Sequence, residues 1–161
     1  MRKPKMWARL AALGAAVVLT AATQLVKPLV PQGAAVLVPG VLGLQYTQNY
    51  GISFSLLGDS AAAMRAVSAI TGLAILVGIA LLLMGKLRGA YIPGAALVMA
   101  GGAGNLIDRM LHGYVVDYIE LLFVRFAIFN LADVLITCGV VWLAVWVLIG
   151  EPRGRGAVQR T

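Results

Sequence analysis

The sequence predicts a mainly α integral membrane protein, four transmembrane helices with a small β-sheet on the outer face, and three observations carry the membrane reading. Hydrophobic residues make up 61% of the 161-residue chain and charged residues 12%, which leaves too little polar surface for a water-soluble domain. Four apolar segments, about 7–26, 61–84, 90–111 and 128–149, each reach the ~20 residues needed to cross a hydrocarbon core. The segment of about 28–60 contains no Lys or Arg, while the N-terminus, the loop with Lys86 and Arg88, and the C-terminal tail are basic.

Each element follows from its residues. The first span begins after Arg2, Lys3 and Lys5. That start resembles a signal peptide, but the apolar run is long and Lys27-Pro28 follows it without a cleavage pattern, so it is read as an uncleaved span. The third span carries Gly94, Gly101, Gly102 and Gly104. Small residues let helix backbones approach closely in lipid, so this helix is expected at the centre of the bundle. The positive-inside rule places the basic ends, and with them both termini, in the cytoplasm. Segment 28–60 then faces outward within a single membrane domain of residues 1–161. In it, "VLGLQYTQ" alternates Leu42, Leu44 and Tyr46 against Gly43, Gln45 and Thr47. "YGISFSLLG" alternates Ile52, Phe54 and Leu56 against Ser53 and Ser55. Both patterns predict half-buried strands, with turns at Pro31–Gly33 and Pro39–Gly40.

The net charge of +7 is spread over three separate places, so it reads as topology and not as a nucleic-acid surface. The single cysteine, Cys138, precludes an intramolecular disulfide. His112 is the only histidine, without a second His or a Cys near it, so it is read as an interface histidine and not as a zinc ligand or a triad base, and no metal or cofactor is expected.

Half of the six acidic residues fall within "GGAGNLIDRMLHGYVVDYIE", residues 101–120. With this topology Asn105, Asp108 and Arg109 end the third span on one helical face. Asn130 and Asp133 open the fourth, Lys27 ends the first, and Asn49 lies in the outward segment. The polar groups therefore converge on one membrane boundary. Acids there are costly and mark function or pair with a cation. For Asp108 the plainer reading is a pair with Arg109 or Lys27; for Asp133 it is an acid favoured by the helix N-terminus. Asp117 and Asp133 have no cation beside them. If they meet, one holds a proton near neutral pH, as in aspartic proteolysis.

Three blocks resemble the lipoprotein signal peptidase (signal peptidase II) family of bacterial membrane aspartic proteases: "NYGISF" (Asn49–Phe54), "GNLIDRMLHGYVVDY" (Gly104–Tyr118, with Tyr118 in place of Phe) and "FNLADVLI" (Phe129–Ile136). The resemblance implies that Asp117 and Asp133 are a catalytic dyad. It implies that Asn49, Asn105, Arg109 and Asn130 support the dyad or bind substrate, on a fold of four transmembrane helices with a small outer-face β-cradle. It further implies cleavage of the signal peptide from diacylglyceryl-modified prolipoproteins at the outer face of the bacterial inner membrane, with no cofactor and with membrane lipids and the prolipoprotein as partners. One position departs: "TQLVK" has Thr23 where the family usually has Asp, with Gln24 and Lys27 retained. Lys27 is then expected to meet solvent or a lipid phosphate. Two other classes compete. A small four-helix transporter or proton pathway should spread acids through the membrane depth, whereas mid-span ionisable residues are nearly absent here. A non-catalytic scaffold would use Asp133 only as a helix cap.

Overall fold

The computed structural model describes residues 4–50, 61–87 and 89–149. Four helices dominate it: α1 (Met6–Val26), α2 (Ala61–Leu83), α3 (Ile92–His112) and α4 (Leu131–Ile149). All four are long and apolar enough to cross a membrane. Three short strands, β1 (Ala35–Val38), β2 (Leu42–Asn49) and β3 (Val115–Leu121), form one antiparallel sheet in the order β1-β2-β3.

The glycine-rich helix is central. Half of the most apolar stretch of α3 is buried, against 17%, 6% and 11% for α1, α2 and α4, and α3 contacts each of the other three. A Cβ on Gly101 would collide with the Ala132 carbonyl oxygen of α4, and one on Gly104 with the Thr23 hydroxyl of α1. These two positions let α1 and the start of α4 settle directly on the α3 backbone. Side chains then stitch the interface: Thr20 Oγ1 donates to Ala100 O at 3.2 Å, and Gln24 Nε2 to Gly104 O at 2.9 Å.

At the opposite end of the bundle the Arg9 guanidinium is buried. It donates from Nε and Nη2 to Pro4 O (2.9 and 2.6 Å) and from Nη1 to Leu83 O (3.2 Å). It thereby satisfies the Leu83 carbonyl, which the last turn of α2 cannot bond internally, and the Pro4 carbonyl ahead of α1.

The strand expected at Leu42–Thr47 is β2, and Pro39–Gly40 forms the β1–β2 turn, Gly40 taking φ 69°. The strand expected in "YGISFSLLG" lies outside the described residues. The sheet also contains two strands the alternation did not reveal, β1 and β3. The third leaves α3 through Gly113, whose φ of 76° caps the helix as its N–H bonds Arg109 O. Past β3 the chain turns back antiparallel, pairing Phe129 with Ile119 through N–H···O bonds of 2.7 and 3.1 Å. This return delivers Asn130 and the start of α4 to the side of β3 that carries Asp117.

Candidate active site

The first turn of α4 is built as a capping box. Asn130 precedes the helix, and its Oδ1 accepts the N–H groups of Ala132 (2.7 Å) and Asp133 (3.1 Å). Asp133 Oδ2 in return accepts the Asn130 N–H at 3.0 Å. The reciprocal pair satisfies orphan donors of the helix start, so the plainer reading of Asp133 as a helix-start acid holds. It occupies one of the two carboxylate oxygens. The other, Oδ1, accepts Asn105 Nδ2 at 2.8 Å.

The same Asn130 reaches Asp117. Its Nδ2 donates to Asp117 Oδ1 at 2.7 Å and to Asn105 Oδ1 at 3.1 Å. Asp117 Oδ2 accepts Asn49 Nδ2 at 2.8 Å. The two acids, separated by 16 positions and carried by a strand and a helix, are thus tied into one circuit by two asparagines. An amide serves this task well because it donates and accepts at once. A register irregularity in the β2–β3 pairing between Leu44 and Thr47, which leaves Thr47 opposite Asp117, lies beside the acid.

Both acids open into a cleft of about 520 Å³, which Asn49, Arg109, Phe126, Phe129 and Thr137 also line. Arg109 lies one turn past Asn105 on α3; its Nε is buried without a hydrogen-bond partner among the described residues. Asp117 itself is 2% exposed. Burial pushes its carboxyl up to about 6, against the opposing pull of the Asn49 and Asn130 N–H donors; Asp133 adds to the rise and Lys27 lessens it. The cleft therefore holds an acid that keeps its proton into the range where an ordinary carboxyl has lost it, beside a second carboxylate.

All six residues singled out in the sequence, Asn49, Asn105, Arg109, Asp117, Asn130 and Asp133, come together here. Asp108 does not. It is fully buried and faces α1, pairing with Lys27 Nζ at 2.6 Å, while its Oδ2 accepts the Val116 N–H at 2.9 Å. Lys27 is accordingly not turned to solvent or to a lipid phosphate, as Thr23 had suggested. The neutral, wholly buried Thr23 bonds back to Thr20 O at 2.7 Å and leaves Asp108 as the partner of Lys27. Tyr118 was noted only as a replacement for Phe. Its hydroxyl accepts the Leu131 N–H at 3.3 Å, a further tie from β3 to the α4 start that Phe could not make.

The sequence model of a protein family described as signal peptidase (SPase) II matches residues 15–149. The chain belongs to the signal peptidase II family. Lipoprotein signal peptidases from Streptococcus agalactiae serotype V and Streptococcus pneumoniae are 38% and 37% identical to it over 114 and 119 residues. The matches cover 68% and 73% of this chain and 71% and 75% of theirs. Two solved bacterial membrane enzymes, determined in meso at 2.3 and 1.9 Å resolution, share the fold, with TM-scores of 0.80 and 0.75 at 23% and 24% identity. They cover 97% and 88% of this chain and 97% and 94% of theirs. Signal peptidase II enzymes are aspartic endopeptidases, so the chain is a multi-pass membrane protease of that class.

Proposed function

We propose that Asp117 and Asp133 are the catalytic dyad, and that the substrate is a diacylglyceryl-modified prolipoprotein cut just before its lipid-bearing cysteine. The observation that carries the assignment is the closed circuit Asp117–Asn130–Asn105–Asp133 in one cleft. Burial favours the protonated form of Asp117, which suits it to the role of acid, and Asp133, at the helix N-terminus, takes the role of base.

The chemistry follows from those two roles. Asp133 takes a proton from water as the water oxygen attacks the scissile carbonyl carbon. Asp117 gives its proton to the carbonyl oxygen, and a neutral tetrahedral diol results. As the C–N bond breaks, Asp133 returns its proton to the departing amine and Asp117 recovers one from the diol. Asn49 and Asn130 hold the Asp117 oxygens in place throughout. Arg109, which lines the cleft, presents a positive charge to the bound peptide.

The site sits at the outer face of the bacterial inner membrane, with both termini cytoplasmic. The lysine- and arginine-free residues 28–50, which carry β1 and β2 on the site's side of the bundle, support that orientation. Retention of α1 is supported by its buried polar ties to α3. The whole chain forms one membrane domain.

Asp117→Asn and Asp133→Asn are each expected to lower cleavage of a lipidated precursor by roughly three orders of magnitude. Turnover by either variant near the wild-type rate would remove the dyad assignment. Lys5→Cys and Gln45→Cys, each made together with Cys138→Ala because the native thiol lines the cleft and labelled from outside intact cells, read the orientation: Gln45→Cys alone should react.

A further inference from the structure

Asn49 and Asn130 hold the carboxyl of Asp117. The backbone that carries it needs holding as well, because β3 is the edge strand of the sheet β1-β2-β3. The N–H groups on the free edge of a strand must find partners elsewhere when they are buried, and Val115, Val116, Asp117 and Tyr118 are all buried. The two N–H groups that flank Asp117 are both bonded from outside the sheet. Tyr118 N–H donates to Phe129 O at 2.9 Å, on the returning chain. Val116 N–H donates to Asp108 Oδ2 at 2.9 Å. One clamp is main chain; the other is a side chain reaching across from α3.

Asp108 does nothing for its own helix. It lies toward the C-terminal end of α3, where the dipole disfavours a carboxylate. Its side chain is 0% exposed, and its charge is met by Lys27 Nζ at 2.6 Å, with the lysine side chain 8% exposed. Packing alone would be served as well by a pair of apolar residues, which spare the desolvation of two charges. What an apolar residue cannot do is accept the Val116 N–H.

We propose that Asp108 is a positioning residue for the reaction. It acts through the Val116 peptide, fixing the strand beside Asp117 so that this acid meets Asn49 and Asn130 in one geometry, and Lys27 holds the Asp108 carboxylate in place. The inference rests on the dyad reading above and goes beyond it by giving a role in turnover to two residues that do not line the cleft.

Two double variants share the loss of both charges and differ in the acceptor. Lys27→Met with Asp108→Asn keeps a side-chain oxygen for the Val116 N–H; Lys27→Met with Asp108→Leu has none. Any effect of the Lys27 charge on the cleft is common to both. Each full chain is purified in detergent, its thermal unfolding is recorded, and cleavage of a diacylglyceryl-modified lipopeptide is followed well below both transitions. The Asn form should keep kcat within about threefold of wild type, while the Leu form should lose about a hundredfold in kcat with KM within about twofold, the effect of a misplacement of about 1 Å. A third variant removes the donor. α-Hydroxyisovaleric acid at position 116, introduced by nonsense suppression, turns the Val116 N–H into an ester oxygen and retains every side chain. It should lower kcat as the Leu form does, and it decides the matter if that form does not fold. Equal kcat in the Asn and Leu forms overturns the proposal, whether both stay near wild type or both fall, and so does a wild-type kcat in the ester. Failure of the dyad reading has a different signature, cleavage by Asp117→Asn at the wild-type rate.

Discussion

Each end of the bundle buries a cation, and the two are handled differently. At the end away from the cleft, Arg9 is satisfied by backbone carbonyls of Pro4 and Leu83. At the cleft end, Lys27 meets a full negative charge on Asp108, which in turn holds the backbone of β3 one residue before Asp117. The first arrangement closes helix ends and nothing more. The second links α1, α3 and the strand that carries an acid of the site, so the contrast separates what shapes the bundle from what shapes the site.

The largest expected effect breaks the charged end. Lys27→Met or Asp108→Asn alone leaves a buried charge without its partner, a loss of about 3–5 kcal/mol in thermal unfolding in detergent. Lys27→Met with Asp108→Leu should recover much of that stability but not the cleavage rate, since Val116 N–H still lacks its acceptor. Arg9→Met should cost less, about 1–3 kcal/mol, with the cleavage rate unchanged. Equal losses at both ends would erase the distinction.

The same contrast is sharpened by one substitution made in two places. Gly101→Ala drives a methyl into the Ala132 carbonyl beneath the capping box, costing about 1–3 kcal/mol and lowering the cleavage rate. Gly14→Ala in α1 meets nothing within 4 Å and should stabilise by about 0.5–1 kcal/mol.

Two smaller changes probe the cleft alone. Asp117 loses its proton as pH rises through about 6, so kcat/KM of the free enzyme should fall above that pH as the acid of the dyad disappears. The apparent value belongs to the pair. The sign for stability is the same: a carboxyl raised in the folded state favours folding at low pH, and that contribution is lost as pH climbs from the unfolded value through about 6. Asn49→Ala removes a donor that favours the carboxylate, so the alkaline limb of the profile should move to higher pH. A move to lower pH contradicts the assigned hydrogen bond. Tyr118→Phe removes only the hydroxyl that meets Leu131 N–H, a loss of about 0.5–1.5 kcal/mol with the pH profile in place.

The spans were legible because a bilayer sets a length and demands apolarity, two properties visible in any window of the chain. The largest difference is at the start of α4, read at about 128 where the helix begins at Leu131, since "AIF" is as apolar as the helix that follows; Phe129 is instead paired with Ile119. The strand β3 was hidden. Its partner β2 is distant in the chain, Asn49 pairing with Val115, and Asp117 and Glu120 interrupt its alternation. The Asp108 partner, by contrast, was within reach. The placing of Asp108 and Arg109 on one face was too coarse: adjacent helical residues do not face each other, which disfavours Arg109 as the partner and leaves Lys27. The members of the site were visible as residue types at one membrane level. What stayed out of reach was the role of Asn130, which serves as helix cap and as bridge between the acids, because that depends on the return of the chain along β3.

The buried pair at Lys27 also bears on how the protein assembles. Asp108 lies in the last turn of α3 with no contact to water, and its counter-charge belongs to a helix made some eighty residues earlier. An isolated third helix would have to carry that acid to the lipid boundary uncompensated or protonated. Docking against a first helix already in place removes the penalty, so the order of synthesis, α1 before α3, matches the order in which the charges need one another.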